Sequence, residues 1–326
     1  MVKSRLRLRR GVALMATMLA IALMTILVGD FTTSAALGYR SAANQADELK
    51  AHYLARSAVA VGLAILEQSS IANTPINNGT TGSSIHDSLD QPWAQPAAPV
   101  PIDGGYASVA IADEDRKLNV NLLLGNRGDI DPNMEPIFGR LIENLGLSPD
   151  LLPVLEDWLD ADNVARDGGA EADFYLTLTP PYEPRNGPIP TVYDLRMLKG
   201  VDDAAFIKLS QCLTAVPTRQ INVNTAPPEV LAALSPALEN DPSVVQEIVA
   251  RRLTAPYLSI TDLKNEASLP NDPQFQSLLA VRSNFFTIIG EGDFAGARKR
   301  IYATFKRGEI NPVTGAQFAL VVWHED

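Results

Sequence analysis

The sequence predicts an α+β fold in which a long N-terminal helix packs on a small antiparallel sheet, and a large all-helical insertion splits that sheet. Three observations predict it. An uncharged apolar run near the N-terminus passes into an alanine-rich amphipathic pattern with no proline in between. Alternating strand-like patterns stand at both ends of the remaining chain. Between those ends the patterns are short and helical.

The opening helix comes first. From Gly11 to Gly29 no residue is charged, a span of 19 residues, which is enough for roughly 30 Å of bilayer hydrocarbon. Lys3, Arg5, Arg7, Arg9 and Arg10 precede it, so the basic front is expected in the cytoplasm and the bulk outside. A secretory signal would have a shorter apolar core with a cut site close behind; here Ser34-Ala35-Ala36 offers only a late one. Leu37, Leu49, Tyr53, Leu54, Val61 and Leu66 then recur at helical spacings. The helix is therefore expected to leave the membrane unbroken and reach on the order of 80 Å.

Residues 70–103 are rich in Asn, Gly, Ser and Pro and read as a loop leading into a strand around Tyr106–Ile111. At the far end SNFFTIIGEGD, RKRIYATFKRGE and GAQFALVVWHE read as three more strands, the last two joined by a turn at Asn311–Gly315. Between roughly Asn119 and Arg282, six segments read as short helices, several preceded by Pro, Ser or Asp. They are PNMEPIFGRLIENLGLS, PDLLPVLEDWLDAD, TVYDLRMLKGV, DDAAFIKLSQCLTA, PPEVLAALSPAL and PSVVQEIVARRL. Short helices with brief connections make helix-hairpin-helix or SAM-like bundles, and two fit, divided near Pro217.

Composition narrows the function classes. Beyond position 10 the chain carries 22 basic against 38 acidic residues, a balance near −16, which is unsuited to holding a phosphate backbone. The sole cysteine, Cys212, forms no intrachain disulfide and sits in an apolar helical pattern. Three scattered histidines (His52, His86, His324) provide no zinc spacing and no nucleophile–base arrangement, so no enzyme is expected. Met15, Met18 and Met24 belong to the apolar stripe.

Two motifs carry more specific chemistry. In INVNTAPPEVLAAL, alternation runs into Thr225, expected as the N-cap, with Pro227 and Pro228 in the first turn. Asn222 and Asn224 are expected to bond nearby backbone. This pattern also opens DNA-binding helix-hairpin-helix modules, but LSPALENDPSVV stands where their glycine-rich phosphate grip would be, so no nucleic acid is expected. In DWLDADNVARDGGAEADFY, Asp157, Asp160, Asp162, Asp167, Glu171 and Asp173 fall within 17 residues. Oxygen-rich loops of this kind suit calcium. Asp160, Asp162 and Glu171 are the first choices as ligands, and a solvated acidic loop is the alternative.

The basic leader, Gly11, apolar stretch and long helix resemble the N-terminus of type IV pilins and pseudopilins. DEDRKLNVN (113–121), DWLDADNVARDGGAEADFY (157–175), INVNTAPPEVLAAL (221–234) and FALVVWHE (318–325) resemble one family in that group, type II secretion system protein K, the large minor pseudopilins. The resemblance implies a pilin-like head with two helical inserts. It also implies cleavage by a prepilin peptidase between Gly11 and Val12, N-methylation of Val12, and calcium in the insert. The implied partners are minor pseudopilins I, J and H and the major pseudopilin G. The implied place is the inner membrane, single-pass, with a periplasmic body at the pseudopilus tip. Ala16 departs from the glutamate usual at the fifth mature position; an unpaired carboxylate in hydrocarbon is costly, so its loss suits a first subunit with no neighbour ahead. The segments expected are a leader (1–11), a transmembrane span (12–31), its amphipathic continuation (32–69), a loop and first strands (70–118), two helical inserts (119–216 and 217–282) and the closing strands (283–326). A membrane-tethered module that binds exported substrates, or a DNA-uptake protein, is the alternative.

Overall fold

The computed structural model describes residues 2–72, 86–125, 127–267, 269, 272–308 and 317–326. Helix α1 (Val2–Ala72) is continuous, roughly 105 Å at 1.5 Å per residue. Its apolar segment is fully exposed and, among the described residues, is the one stretch long and apolar enough to cross a membrane. Strands β1 (Val100–Ile102) and β2 (Gly105–Asp113) come next, so the expected 70–103 loop contains a short edge strand. The anticipated turn at Asn311–Gly315 lies outside the described residues.

The insertion begins with β3 (Leu118–Asn119), α2 (Glu135–Asn144), α3 (Leu151–Leu159), α4 (Ala172–Tyr175), α5 (Asp203–Cys212) and β4 (Leu213–Thr214). It continues through β5 (Ile221–Asn222), α6 (Pro228–Ala233), α7 (Pro236–Asn240), α8 (Pro242–Thr254), α9 (Ile260–Glu266), α10 (Pro273–Ser277) and β6 (Leu279–Ala280). Asp202, Ser235, Asp241, Ser259 and Asp272 cap the helices that begin after them, each satisfying a backbone N–H that has no intrahelical partner. The TVYDLRMLKGV segment forms a 3-10 helix (Val192–Met197) instead of an α-helix, and PPEVLAALSPAL breaks into α6 and α7 at Ser235. The two anticipated bundles share one continuous core, from Leu118 to Leu279, with Trp158, Tyr175, Phe206, Val230 and Tyr257 inside it.

Strands β7 (Phe285–Phe294), β8 (Ala297–Arg307) and β9 (Phe318–Glu325) close the head. The sheet is antiparallel, in the order β1-β2-β7-β8-β9. Sequence periodicity finds the face of α1 that meets it only in part, through Leu54 and Leu66. Leu37, Leu49, Tyr53 and Val61 are exposed; the buried stripe is Ala51, Leu54, Ala55, Ala58, Val59 and Leu66. The reason is distance. A Cβ on Gly290 would lie 2.3 Å from the Ala55 carbonyl oxygen, and one on Gly292 2.0 Å from that of Ala51. Helix and strand backbones touch, and only alanine on one side and glycine on the other permit it.

The same contacts fix the direction of the head. Gly292 meets Ala51, Gly290 meets Ala55 and Ile288 meets Gly62, so β7 runs toward its start as α1 runs away from the apolar segment. The insertion joins the sheet there, where Asp113 pairs with Phe286. It therefore leaves the head at the end opposite the apolar segment, and reaches back along the sheet to set Tyr193 against His324, 6.2 Å between ring centroids.

Buried polar bonds tie insertion to sheet at this junction. Thr225 is not the N-cap; that position is Pro227, and the Thr225 hydroxyl donates to Asp113 Oδ2 at 2.6 Å, as does Ser283 Oγ. Asn222 Nδ2 donates to Ser283 Oγ and the Asp87 carbonyl. Asn224 reaches across to both backbone groups of Tyr257, 33 residues away. Asp115 Oδ2 accepts the Asn284 and Phe285 N–H groups. Arg307 closes the junction with a two-point contact to Asp87 at 2.6 and 2.8 Å.

Candidate metal centre

Helix α3 is apolar enough to bury nearly every residue of its last two turns, and this carries Glu156 and Asp157 inward with Trp158. Asp160 ends the helix in an extended conformation. The chain then turns over residues 161–170 and returns at Glu171, the residue before α4.

Asp157, fully buried, organises this loop. Its carboxylate accepts the backbone N–H of Ala170 at 2.9 Å and of Arg166 at 3.1 Å, and the Arg166 guanidinium at 2.9 Å. Gly169 passes so close that a Cβ would sit 2.0 Å from Asp157 Oδ2. Arg166 also contacts Asp160 and lies 3.1 Å from Glu156. One cation thus serves three carboxylates, and Asp157 has its bonding capacity filled.

Asp160, Asp162 and Glu171 come together, each offering an oxygen within 4.8 Å of the others. Asp160 and Glu171 are buried and Asp162 is exposed. Asp167 and Asp173 point to solvent, apart from this group. Both Glu171 carboxylate oxygens and Asp160 Oδ1 are buried without a hydrogen-bond donor. So is the Asn186 amide oxygen, whose Nδ2 donates to the Asp162 carbonyl at 2.8 Å. No sequence signal singled out Asn186; it lies 24 residues beyond Asp162 and arrives through the fold. Burial, then the charges of Asp157, Asp160 and Asp162, push the Glu171 carboxyl up to about 7. Glu156 is also raised to about 7, chiefly by burial, with Arg166 opposing. Orphaned buried oxygens are rare because each costs desolvation energy. Those on Asp160 and Glu171, in a carboxylate group that closes to within 4.8 Å, fit a hard, oxygen-seeking divalent cation of calcium's kind.

A stalk helix bound along a small antiparallel sheet, with a bulky helical insertion at the far end, defines a pilin-like subunit with an enlarged head. Two family models described as type II secretion system protein K match residues 116–218 and 221–282. The chain belongs to the type II secretion system protein K family. The Pseudomonas aeruginosa protein of that name is 30% identical over 92% of this chain and 90% of its own length. The Klebsiella pneumoniae protein is 34% identical over 70% and 71%. In the crystal structure of a GspK-GspI-GspJ complex from enterotoxigenic Escherichia coli, one chain superposes with a TM-score of 0.66. That chain is 20% identical, and the match covers 88% of this chain and 99% of it.

Proposed function

We propose that this chain is a minor pseudopilin that sits at the tip of the periplasmic pseudopilus and starts or limits its assembly, so supporting protein export across the outer membrane. One observation carries this reading: the insertion leaves the head at the end opposite the exposed apolar segment of α1. A subunit anchored by that segment projects its bulk away from the membrane and leaves little room for another subunit in front. Ala16, inside the apolar segment, needs no charged partner ahead. Leu49, Tyr53 and Val61 remain exposed on α1, available to neighbouring helices, and small residues such as Ala16, Ala20 and Ala22 allow close helix approach. Until it is removed, the basic leader faces the cytoplasm, and the body is periplasmic. The role is mechanical, not catalytic, and nucleic acid has no place in it.

Its partners are counterparts of pseudopilins I and J, the chains with which the enterotoxigenic E. coli protein is assembled; H and the major pseudopilin G come behind them in the filament. Full-length protein co-expressed with the I and J counterparts from its own secretion system is expected to co-purify as one complex. Recovery of I and J together without this chain would contradict the reading.

Calcium belongs to the same proposal. Asp160, Asp162 and Glu171 would hold it, with the Asn186 amide oxygen alongside, and the ion would neutralise the buried carboxylates and fix the 160–171 loop. Calcium at about one hundred times its Kd is expected to stabilise the fold by about 2.7 kcal/mol. Chelator is expected to lower Tm correspondingly, and Glu171→Gln to abolish the response. A Tm indifferent to calcium would remove the ion from the account.

A further inference from the structure

A second site lies where β2 meets the insertion. A cavity of about 580 Å³ opens between the end of β2, the turn after it, the end of α2, α5 and the start of α6. Arg116, Lys117 and Lys208 line it, against a single carboxylate, Glu229. That balance is unusual in a body so acidic.

The cations are incompletely matched. Lys117 has its counter-charge in Glu114 at 3.2 Å. Lys208 donates to the Leu145 carbonyl at 2.8 Å, at the C-terminal end of α2, and has no carboxylate partner there. Arg116 has no hydrogen bond or ion pair among the described residues, and its Nε is buried without an acceptor. Arg252, near Arg116 but outside the cavity lining, is buried, bonds the Val223 carbonyl at 2.7 Å, and has an Nε that also lacks an acceptor. Burial first, and the nearby Arg116 charge second, hold the Arg252 guanidinium down to about 10. The half-buried Arg116, beside the buried Arg252 and with its own Nε donor unused, is the complement of an anion. Cys212 in the same wall is no nucleophile: burial pushes its thiol up to about 11.

We propose that this cavity binds a carboxylate borne on a short apolar stem. The guanidinium of Arg116 presents a planar fork that carboxylate and phosphate can both bridge. Lys208 adds a second charge, and the Glu229 carboxylate in the wall repels the more highly charged phosphate more strongly. Ala112, Leu145 and Pro227 offer the stem an apolar wall. The carboxylate comes either from a free small acid or from a glutamate side chain in a peptide.

Calorimetric titration of the detergent-solubilised full chain, at low ionic strength and fixed calcium, tests this. The probes are glutarate, a blocked Ala-Glu-Ala tripeptide and inorganic phosphate. One carboxylate probe is expected to bind saturably at one site, about tenfold or more tighter than phosphate. A preference for glutarate assigns a free acid, and a preference for the tripeptide assigns a protein segment. Arg116→Gln is expected to weaken binding about tenfold, the loss of one charge-assisted bond. Glu229→Gln is expected to tighten it by removing a repelling carboxylate, a gain that a misfolded variant cannot mimic. Absence of saturable binding, phosphate binding as tightly as carboxylate, or affinity unmoved by both variants would overturn the proposal.

Discussion

Arg307→Leu is expected to destabilise the protein by about 3–5 kcal/mol, because it strands a buried carboxylate without its cation. Asp87 and Arg307 are both buried. Arg307 also donates to the Ser283 carbonyl at 2.7 Å and lies over the rings of Phe286 and Phe318. The loss falls at the junction of head and insertion, so the two are expected to unfold in separate steps in urea. Asp87→Asn in the same chain is expected to recover part of the loss by removing the stranded charge. A single transition at unchanged denaturant midpoint would show that the pair does not hold the junction. The neighbouring acids add a pH signature. Burial, joined for Asp115 by the Asp113 charge, raises these carboxyls from 3.8 to about 6 for Asp113 and about 7 for Asp115. An acid raised in the folded state contributes stability that is complete below pH 4 and lost as pH rises through the folded value. Unfolding free energy is therefore expected to decline from these groups between pH 4 and 7, and Asp115→Asn to flatten that decline.

Gly292→Val is the second large effect. The new Cβ would sit 2.0 Å from the Ala51 carbonyl oxygen and 2.7 Å from the Ala55 nitrogen. Backbone lies on both sides, so no flexible side chain can yield. Overpacking of a well-packed interior costs about 1–3 kcal/mol, and a clash between backbones is expected to reach the upper end or exceed it, lifting α1 from the sheet. Gly38 has nothing within 4 Å of a built Cβ, and Gly38→Ala is expected to be neutral or stabilising by about 0.5–1 kcal/mol through helix propensity. Equal effects of the two substitutions would refute the close contact.

These sites show what the residues disclosed and where they fell short. The α+β class, the long helix and the closing strands emerge from periodicity, which is a local property. The buried face of α1 emerged only in part: Leu54 and Leu66 point inward, but Leu37, Leu49, Tyr53 and Val61 point outward. Ala51, Ala55 and Ala58 take their place against the sheet, where a pair of glycines more than 230 positions away admits the close approach. Thr225 has the composition of a cap, yet bonds Asp113, since a buried carboxylate needs donors more than a helix already opened by proline does. In the acidic loop, composition located the carboxylates without distinguishing their tasks. Asp157 bonds backbone and Arg166, Asp160, Asp162 and Glu171 converge, and Asp167 and Asp173 face water. Only geometry separates these tasks, and only geometry adds Asn186. The two inserts divided near Pro217 match separate family models, yet their buried side chains meet in one cluster, a contact that the local helical pattern does not carry.

We propose that α1 is trimmed between Gly11 and Val12, in front of its apolar segment, and then kept as the stalk of a filament subunit. Intact-mass and N-terminal mass spectrometry of the mature protein, purified from a host with an active prepilin peptidase, tests it most directly. The expected result is a chain that begins at Val12 with one added methyl group, and that stays full-length and unprocessed after Gly11→Val. A mature chain beginning after Ala36, or one that retains residues 1–11, would contradict it.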